Sequence, residues 1–217
     1  MKIYLAASCE PALMEHFVNM GHDVELVSTS GIVAEPVSDH PDMFMCKMGA
    51  ADSAPIIRCD AAADALGMEY PHDIPFNAAC TGRYFVHNLK YTAPELLEAA
   101  KEMGMTLVNV KQGYAKCSTV VVDEDSIITY DMGIAAACSK AGMDVLTVEP
   151  GHVLLSGYNT GFIGGASGRV GDSVYFNGDL TAHPDHSRII EFIESKGLNV
   201  ISFPGWPLTD IGSIYSE

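Results

Sequence analysis

Five glycines recur in the same local context along this chain: Gly21-His22-Asp23-Val24, Gly67-Met68-Glu69-Tyr70, Gly104-Met105-Thr106-Leu107, Gly142-Met143-Asp144-Val145 and Gly197-Leu198-Asn199-Val200. Each follows a stretch with helical apolar spacing, as in the run from Pro94 to Met103, and precedes an apolar segment too short for a second helix. A helix that stops at glycine places it just past the last turn, where a left-handed backbone costs least. Such self-similarity implies one supersecondary unit used five times around a shared core. Functional groups are then expected where the five units converge.

The finer patterning predicts strands at 2–7 and 23–28, near 42–48 and 80–87, at 105–110 and 144–148, near 152–156 and 173–177, and at 199–203. Helices are expected at 10–20, 94–103, 132–141 and 185–196, with a short helical piece at 60–66. Two β-rich runs flank the acidic turn Asp123-Glu124-Asp125, which predicts a hairpin across 118–130. Each unit therefore reads strand, strand, helix, strand. The inner strands begin from Asp39, Asn77, Gly113, Gly157 and Asp210. The last of these units reaches only its first strand before the C-terminus, and residues 2–28 supply the missing strand, helix and strand. One repeat is thus split between the two ends, which closes a ring and leaves no free sheet edge.

Composition narrows the class. A chain of 217 residues, 48% hydrophobic, buries one sizeable core and reads as a single domain over 1–217. It carries no apolar run of membrane-spanning length, and its first residues read as a strand rather than a secretory signal, so a cytoplasmic protein is expected. The six cysteines are scattered without a C-x-x-C pair, so reduced thiols are expected, with no metal site and no disulfide scaffold. The formal charge of −16 argues against nucleic acid, which demands a basic surface, and is compatible with a cationic ligand. The glycine-dense stretch 161–171 matches neither dinucleotide nor P-loop spacing, so no cofactor is expected. It reads either as a turn with close backbone approach or as a ligand-contacting lid.

Five pseudo-symmetric strand, strand, helix, strand units, one shared by both termini, resemble the pentein fold, the five-fold α/β propeller of guanidino-group-modifying enzymes. Those enzymes include arginine and agmatine deiminases, dimethylarginine dimethylaminohydrolases and amidinotransferases, and the fold also has non-catalytic, ribosome-associated relatives. The stretch from Lys111 to Val122 looks like a segment of bacterial proteins assigned to that fold. The resemblance implies a nucleophile at Cys117, because Gly113-Tyr114-Ala115-Lys116-Cys117-Ser118-Thr119 is similar to the pattern G-G-x-x-C-x-T. It implies a histidine at His40, because His40-Pro41-Asp42 is similar to an H-x-D motif two repeats earlier, and a further carboxylate at Asp210 one repeat before that. Arg169 falls where the hydrolases of this fold present an arginine to the substrate carboxylate. Asn77 and Ser213 fall at strand starts expected to contact a small-molecule substrate.

Those residue types suit one chemistry. A guanidinium is a planar, resonance-stabilised cation, so attack at its carbon needs a thiolate, carboxylates along its N–H edges and a proton donor for the departing amine. Cys117 would form a thiouronium adduct, His40 would protonate the amine and then activate water, and Asp42 and Asp210 would hold the cation. A positive charge beside Cys117, from Lys116 or from the substrate, would lower its pKa from about 8.5. Structural readings stand beside these. Cys117 fits a small buried residue at a strand start, His40-Pro41 a turn, and Asp210 a turn cap. Asp131 is expected to cap the helix that follows it. His183-Pro184-Asp185 repeats the triplet of His40, with Asp185 expected to cap helix 186–196, while His87 and His152 read as core or surface histidines. The family's G-G-D motif is absent, and Ser213 holds the usual place of its nucleophile. Either the site has moved to Cys117, or the fold serves a non-catalytic binding protein; metal-assisted hydrolysis through His40 and Asp42 lacks the spacing of a strong metal site.

Overall fold

The helix-ending glycines govern the backbone as the repeat requires at four of five places. In the computed structural model, which describes residues 1–28, 31–59 and 66–217, φ is +82° at Gly21, +69° at Gly104, +100° at Gly142 and +75° at Gly197. Gly67 is the exception: its N–H bonds back to His72 O at 2.8 Å and no strand follows it. Pro71, which has no N–H to give to a ladder, stands where that strand would run. The helical piece expected at 60–66 lies, but for Leu66, outside the described residues.

The elements run β1 (Lys2–Ala6), α1 (Pro11–Asn19), β2 (Asp23–Val27), α2 (Pro41–Phe44), β3 (Met45–Lys47), β4 (Ile56–Arg58), β5 (Ala79–Cys80), β6 (Tyr84–His87), α3 (Pro94–Glu102) and β7 (Thr106–Asn109). They continue as β8 (Thr119–Val121), β9 (Ser126–Thr129), α4 (Met132–Ala141), β10 (Asp144–Thr147), β11 (Ser167–Val170), β12 (Ser173–Phe176), α5 (His186–Glu194), β13 (Asn199–Ser202) and β14 (Tyr215–Ser216). The result is a mixed α/β fold of five small sheets. Three sheets share one plan: β5–β6–β7, β8–β9–β10 and β11–β12–β13 each hold an antiparallel pair, then a helix that carries the chain to a third strand parallel to the second. A parallel neighbour needs such a crossover, and the helix provides it. The fourth sheet has the same plan cut open: β14 pairs antiparallel with β1, Ile3 opposite Ser216, and β1 pairs parallel with β2 beyond α1. The fifth is the two-stranded β3–β4.

Each of the four longer helices, α1, α3, α4 and α5, docks through the same two positions. Leu13 and Phe17 in α1, Leu96 and Ala100 in α3, Ile134 and Cys138 in α4, and Ile189 and Ile193 in α5 are buried pairs four residues apart. That spacing stacks side chains on one helical face. The core is accordingly divided into clusters gathered around each of the four helices, and a fifth around Tyr4, Met43, Phe44 and Tyr215. Inside the sheets the first strands are neighbours: β11 packs against β14 and β8, and β5 against β8 and β3. Lys47 Nζ of β3 reaches Ser216 Oγ of β14 at 2.7 Å.

Several boundaries move. The strand expected near 42–48 is cut to Met45–Lys47 because Pro41, with its fixed φ, starts a helical turn. Residues 80–87 are two strands about a left-handed Gly82, φ +102°. Residues 152–156 form one bridge, Leu154 with Thr209, and the first strand of that unit is β11, inside the glycine-dense stretch. Asp131 caps α4 as expected, accepting from Ile134 N at 2.8 Å. Asp185 does not cap α5 with its side chain: Oδ2 accepts from Glu149 N at 2.7 Å and Oδ1 from Arg188. Among the described residues no helix is long and apolar enough to cross a membrane.

Candidate functional site

The residue two places before a first strand recurs at the centre of the molecule. Asn77 precedes Ala79, Cys117 precedes Thr119, Gly165 precedes Ser167 and Ser213 precedes Tyr215, while the remaining unit contributes Asp42, three before Met45. These positions are tied to one another. Asn77 Nδ2 donates to Cys117 Sγ at 3.0 Å, Cys117 Sγ donates to Asp42 Oδ2 at 3.1 Å, and Ser213 Oγ donates to the same Asp42 oxygen at 2.7 Å. Backbone closes the circuit, since Ser213 N donates to Gly165 O at 2.7 Å and Gly165 N to Cys117 O at 2.9 Å. Gly165 has to be glycine here: a Cβ would overlap the Asp210 carboxylate. The close backbone approach expected of stretch 161–171 is realised there.

Asn77 organises the turn that carries the thiol. Its Oδ1 accepts from Lys116 N at 2.9 Å and Cys117 N at 3.1 Å, and its Nδ2 also donates to Asp42 O at 3.3 Å. Ser213 holds φ at +79° while fully buried, a backbone region that costs a non-glycine residue about 1–2 kcal/mol. Lys116 Nζ donates to Ser213 Oγ at 2.8 Å and to Gly164 O at 3.0 Å. Charge thus runs in a chain from Lys116 through Ser213 to Asp42 and the thiol.

His40 and Asp210 form the second half. His40 Nδ1 lies 3.8 Å from Asp210 Oδ1 and has no hydrogen-bond partner, although His40 is 2% exposed. Asp210 turns the chain by accepting from Gly212 N at 3.0 Å and binds the facing loop by accepting from Phe162 N at 2.9 Å. Turn cap and site carboxylate are therefore the same residue. Asp42 Oδ1 is likewise buried without a partner. His40, Cys117 and Asp210 open onto one cleft of about 460 Å3, partly open to solvent, whose other walls include Met43, Tyr114, Leu155 and Phe162. Tyr114 is fixed in that wall by its hydroxyl, which donates to Asp73 Oδ2 at 2.5 Å.

Burial pushes the Cys117 thiol well above its ordinary pKa, and the negative charges of Asp42 and Asp210 push it further. Burial also raises Asp210, opposed by His40, and lowers Lys116, opposed by Asp42 and Cys117. The activation expected from Lys116 is not what the geometry provides: the ammonium bonds Ser213 and Gly164 rather than the thiol, and the thiol is held protonated, donating to Asp42. Arg169 stands apart. It lies on β11, bonds through Nη1 to Val122 O at 3.1 Å and through Nε to Gly171 O at 3.2 Å, and lines a different cavity. Cys117, His40, Asp42, Asp210, Asn77 and Ser213 are brought together, and Arg169 is not. Sequence reading missed the cleft's apolar wall and the pivotal place of Lys116, although the latter stands next to Cys117 in the repeat. Among the described residues no group of three or more His, Cys, Asp or Glu side chains is placed to hold a metal ion. His87 is a core histidine, bonded to Thr92 Oγ1 and Gly113 O, and His152 is on the surface.

The chain belongs to a family of unknown function, DUF6873, which matches it over residues 5–215. Comparison with curated proteins and with solved structures gave no match.

Proposed function

We propose that this protein is a cysteine-dependent hydrolase or transferase of the pentein type, acting on the C–N bond of a guanidine or amidine, with its five sheets set as the blades of a propeller around Asp42, Asn77, Cys117, Gly165 and Ser213. The observation that carries the reading is the thiol of Cys117 hydrogen-bonded to a buried carboxylate in a cleft shared with the His40–Asp210 pair. Two carboxylates beside a thiol are a poor way to make a thiolate, and a good way to bind a cation. A guanidinium or amidinium entering the cleft offers N–H donors to the unpartnered Asp42 Oδ1, and its charge reverses the field that holds the thiol protonated. The thiol proton then passes to Asp42 Oδ2, its hydrogen-bond acceptor, which returns it when Sγ is released, and Sγ attacks the amidino carbon to form a C–S bond. His40 donates a proton as the C–N bond breaks and amine leaves. In hydrolysis His40 takes a proton from water, whose oxygen attacks the same carbon and expels Sγ. Met43, Tyr114, Leu155 and Phe162 supply apolar wall, and Arg169 faces elsewhere, so the favoured substrate carries an apolar substituent and no carboxylate.

The test is competition between two alkylating agents of the same shape, cationic 2-chloroacetamidine and neutral 2-chloroacetamide, with modification of each cysteine read by mass spectrometry. Relative to free cysteine, Cys117 is expected to favour the cation by about tenfold or more, a difference of about 1.4 kcal/mol, and Asp42→Asn removes the preference. Equal rates at Cys117, or another cysteine reacting faster with the cation, would sink the reading. A binding role without turnover is favoured by the protonated thiol alone. It requires that alkylguanidines bind yet yield no product sensitive to Cys117→Ala.

A further inference from the structure

The only two lysines buried among the described residues, Lys47 and Lys116, line one cavity, and Arg169 lines it with them. It is a narrow cavity partly open to solvent, and its wall takes a residue from each first strand: Lys47 of β3, Cys80 of β5, Val121 of β8, Arg169 of β11 and Tyr215 of β14. It is separate from the cleft of Cys117 and shares none of that cleft's lining residues.

Buried cations are costly unless anions or full sets of acceptors surround them. Here most partners are neutral. Lys47 Nζ bonds Ser216 Oγ at 2.7 Å and reaches Asp52 Oδ1 only at 3.9 Å. Asp52, a third exposed, is already engaged by Gly171 N at 3.0 Å and Ser216 Oγ at 2.7 Å. Arg169 bonds two backbone carbonyls, and Lys116 a carbonyl and a hydroxyl. Glu217 adds a weaker negative field at Lys47. Tyr215, 4% exposed, lines the same cavity with a hydroxyl that has no hydrogen-bond partner. In a chain of net charge −16, three cations and an unused donor gathered in one cavity point to a ligand of opposite charge.

We propose that this cavity binds a small oxyanion, the phosphate or carboxylate group of a small molecule. Arg169 offers planar donors suited to paired oxygens, Lys47 and Lys116 a compact positive charge, and Tyr215 a hydroxyl donor. Because Lys116 also bonds Ser213, which bonds Asp42, an anion here is linked to the thiol cleft.

Calorimetric titration of the full chain at neutral pH, with inorganic phosphate and separately with acetate, tests the site. Binding is expected with a Kd of about 1 mM or tighter, weakened about tenfold or more in Arg169→Met and unchanged in Lys140→Met on the exposed face of α4. Phosphate alone binding assigns a phosphoryl group and acetate alone a carboxylate, and both support the site. Lys47→Met should behave as Arg169→Met does; should it fail to fold, the partly exposed Arg169 decides. No binding of either anion, or binding undiminished in Arg169→Met, overturns the proposal.

Discussion

Ser213 carries the sharpest conflict between backbone and side chain. Its φ of +79° favours glycine, yet its hydroxyl accepts from Lys116 and donates to Asp42. Replacing it separates the two effects. Ser213→Ala keeps the strained backbone and loses both hydrogen bonds, whereas Ser213→Gly loses the bonds and relieves the strain. Both variants should be less stable than the native protein, since buried hydrogen bonds to charged groups are worth about 1.5–3 kcal/mol each. Glycine should nevertheless be the more stable of the two by about 1 kcal/mol. Urea unfolding of the three proteins measures this, and alanine equalling or exceeding glycine would show that the conformation costs nothing. At this scale the sequence was informative where repeat position mattered: Asp42, Cys117 and Asp210 were found because each sits at the start of an inner strand. Arg169 was misplaced because a glycine-rich segment has no periodicity from which to tell strand from loop, so the cavity its residue lines could not be read.

At the scale of elements, β6 and the turn that leads to Cys117 are pinned by His87. Its Nε2 faces Gly113 O at 2.9 Å, a group that can only accept, so Nε2 carries the proton, and Nδ1 lies 2.7 Å from Thr92 Oγ1, whose own proton reaches Asn88 O at 3.1 Å. A second proton would charge a fully buried ring. Burial accordingly lowers the pKa of His87 to about 4, against its hydrogen bonds to the backbone of Gly113 and Ile74, which raise it. Below the ordinary value of about 6.5 the unfolded chain binds a proton that the folded chain refuses, so stability is full above that pH and falls as pH drops toward 4. The loss amounts to about 3 kcal/mol by the lower end of the window. Comparing unfolding free energies of the native protein and His87→Gln between those limits isolates the term, because all other groups titrate in both. Parallel curves would contradict a buried neutral His87. The helices were legible because each buries a pair of residues four apart before a glycine, a pattern that solvent exposure of the opposite face preserves in the sequence. The short strands β5 and β14, of two residues each, carry too few alternations to register, and the place of β11 was hidden for the same reason as Arg169.

For the whole molecule, the decisive feature is that one sheet is completed by strands from both ends of the chain. β14 pairs with β1, and beyond the ladder Lys2 N donates to Glu217 O at 2.8 Å while Glu217 N donates to Lys2 O at 2.9 Å. The split was legible in the sequence because the last unit reaches only its first strand and residues 2–28 match the remainder; the pairing of Ile3 with Ser216 supplies the contact. If the five units are equivalent, the point at which the chain is cut is arbitrary, and the cut can be moved from within one unit to between two. Pro204 and Gly205 are exposed, and a side chain at Gly205 would meet nothing within 4 Å. A circular permutant that starts at Gly205, ends at Pro204 and joins Glu217 to Met1 through a short glycine linker makes β14, β1, α1 and β2 contiguous. The new linker spans ends already in register, so closure should cost little, while the new termini lie where no strand is broken. The permutant should unfold in one cooperative transition with a stability within about 2 kcal/mol of the native protein. It should also retain the cation preference at Cys117, because Asp210 and Ser213 reach the cleft from the segment just before β14, which the permutation leaves intact. A permutant that folds but loses that preference would mean that the original ends, rather than the meeting of five strand starts, hold the site together.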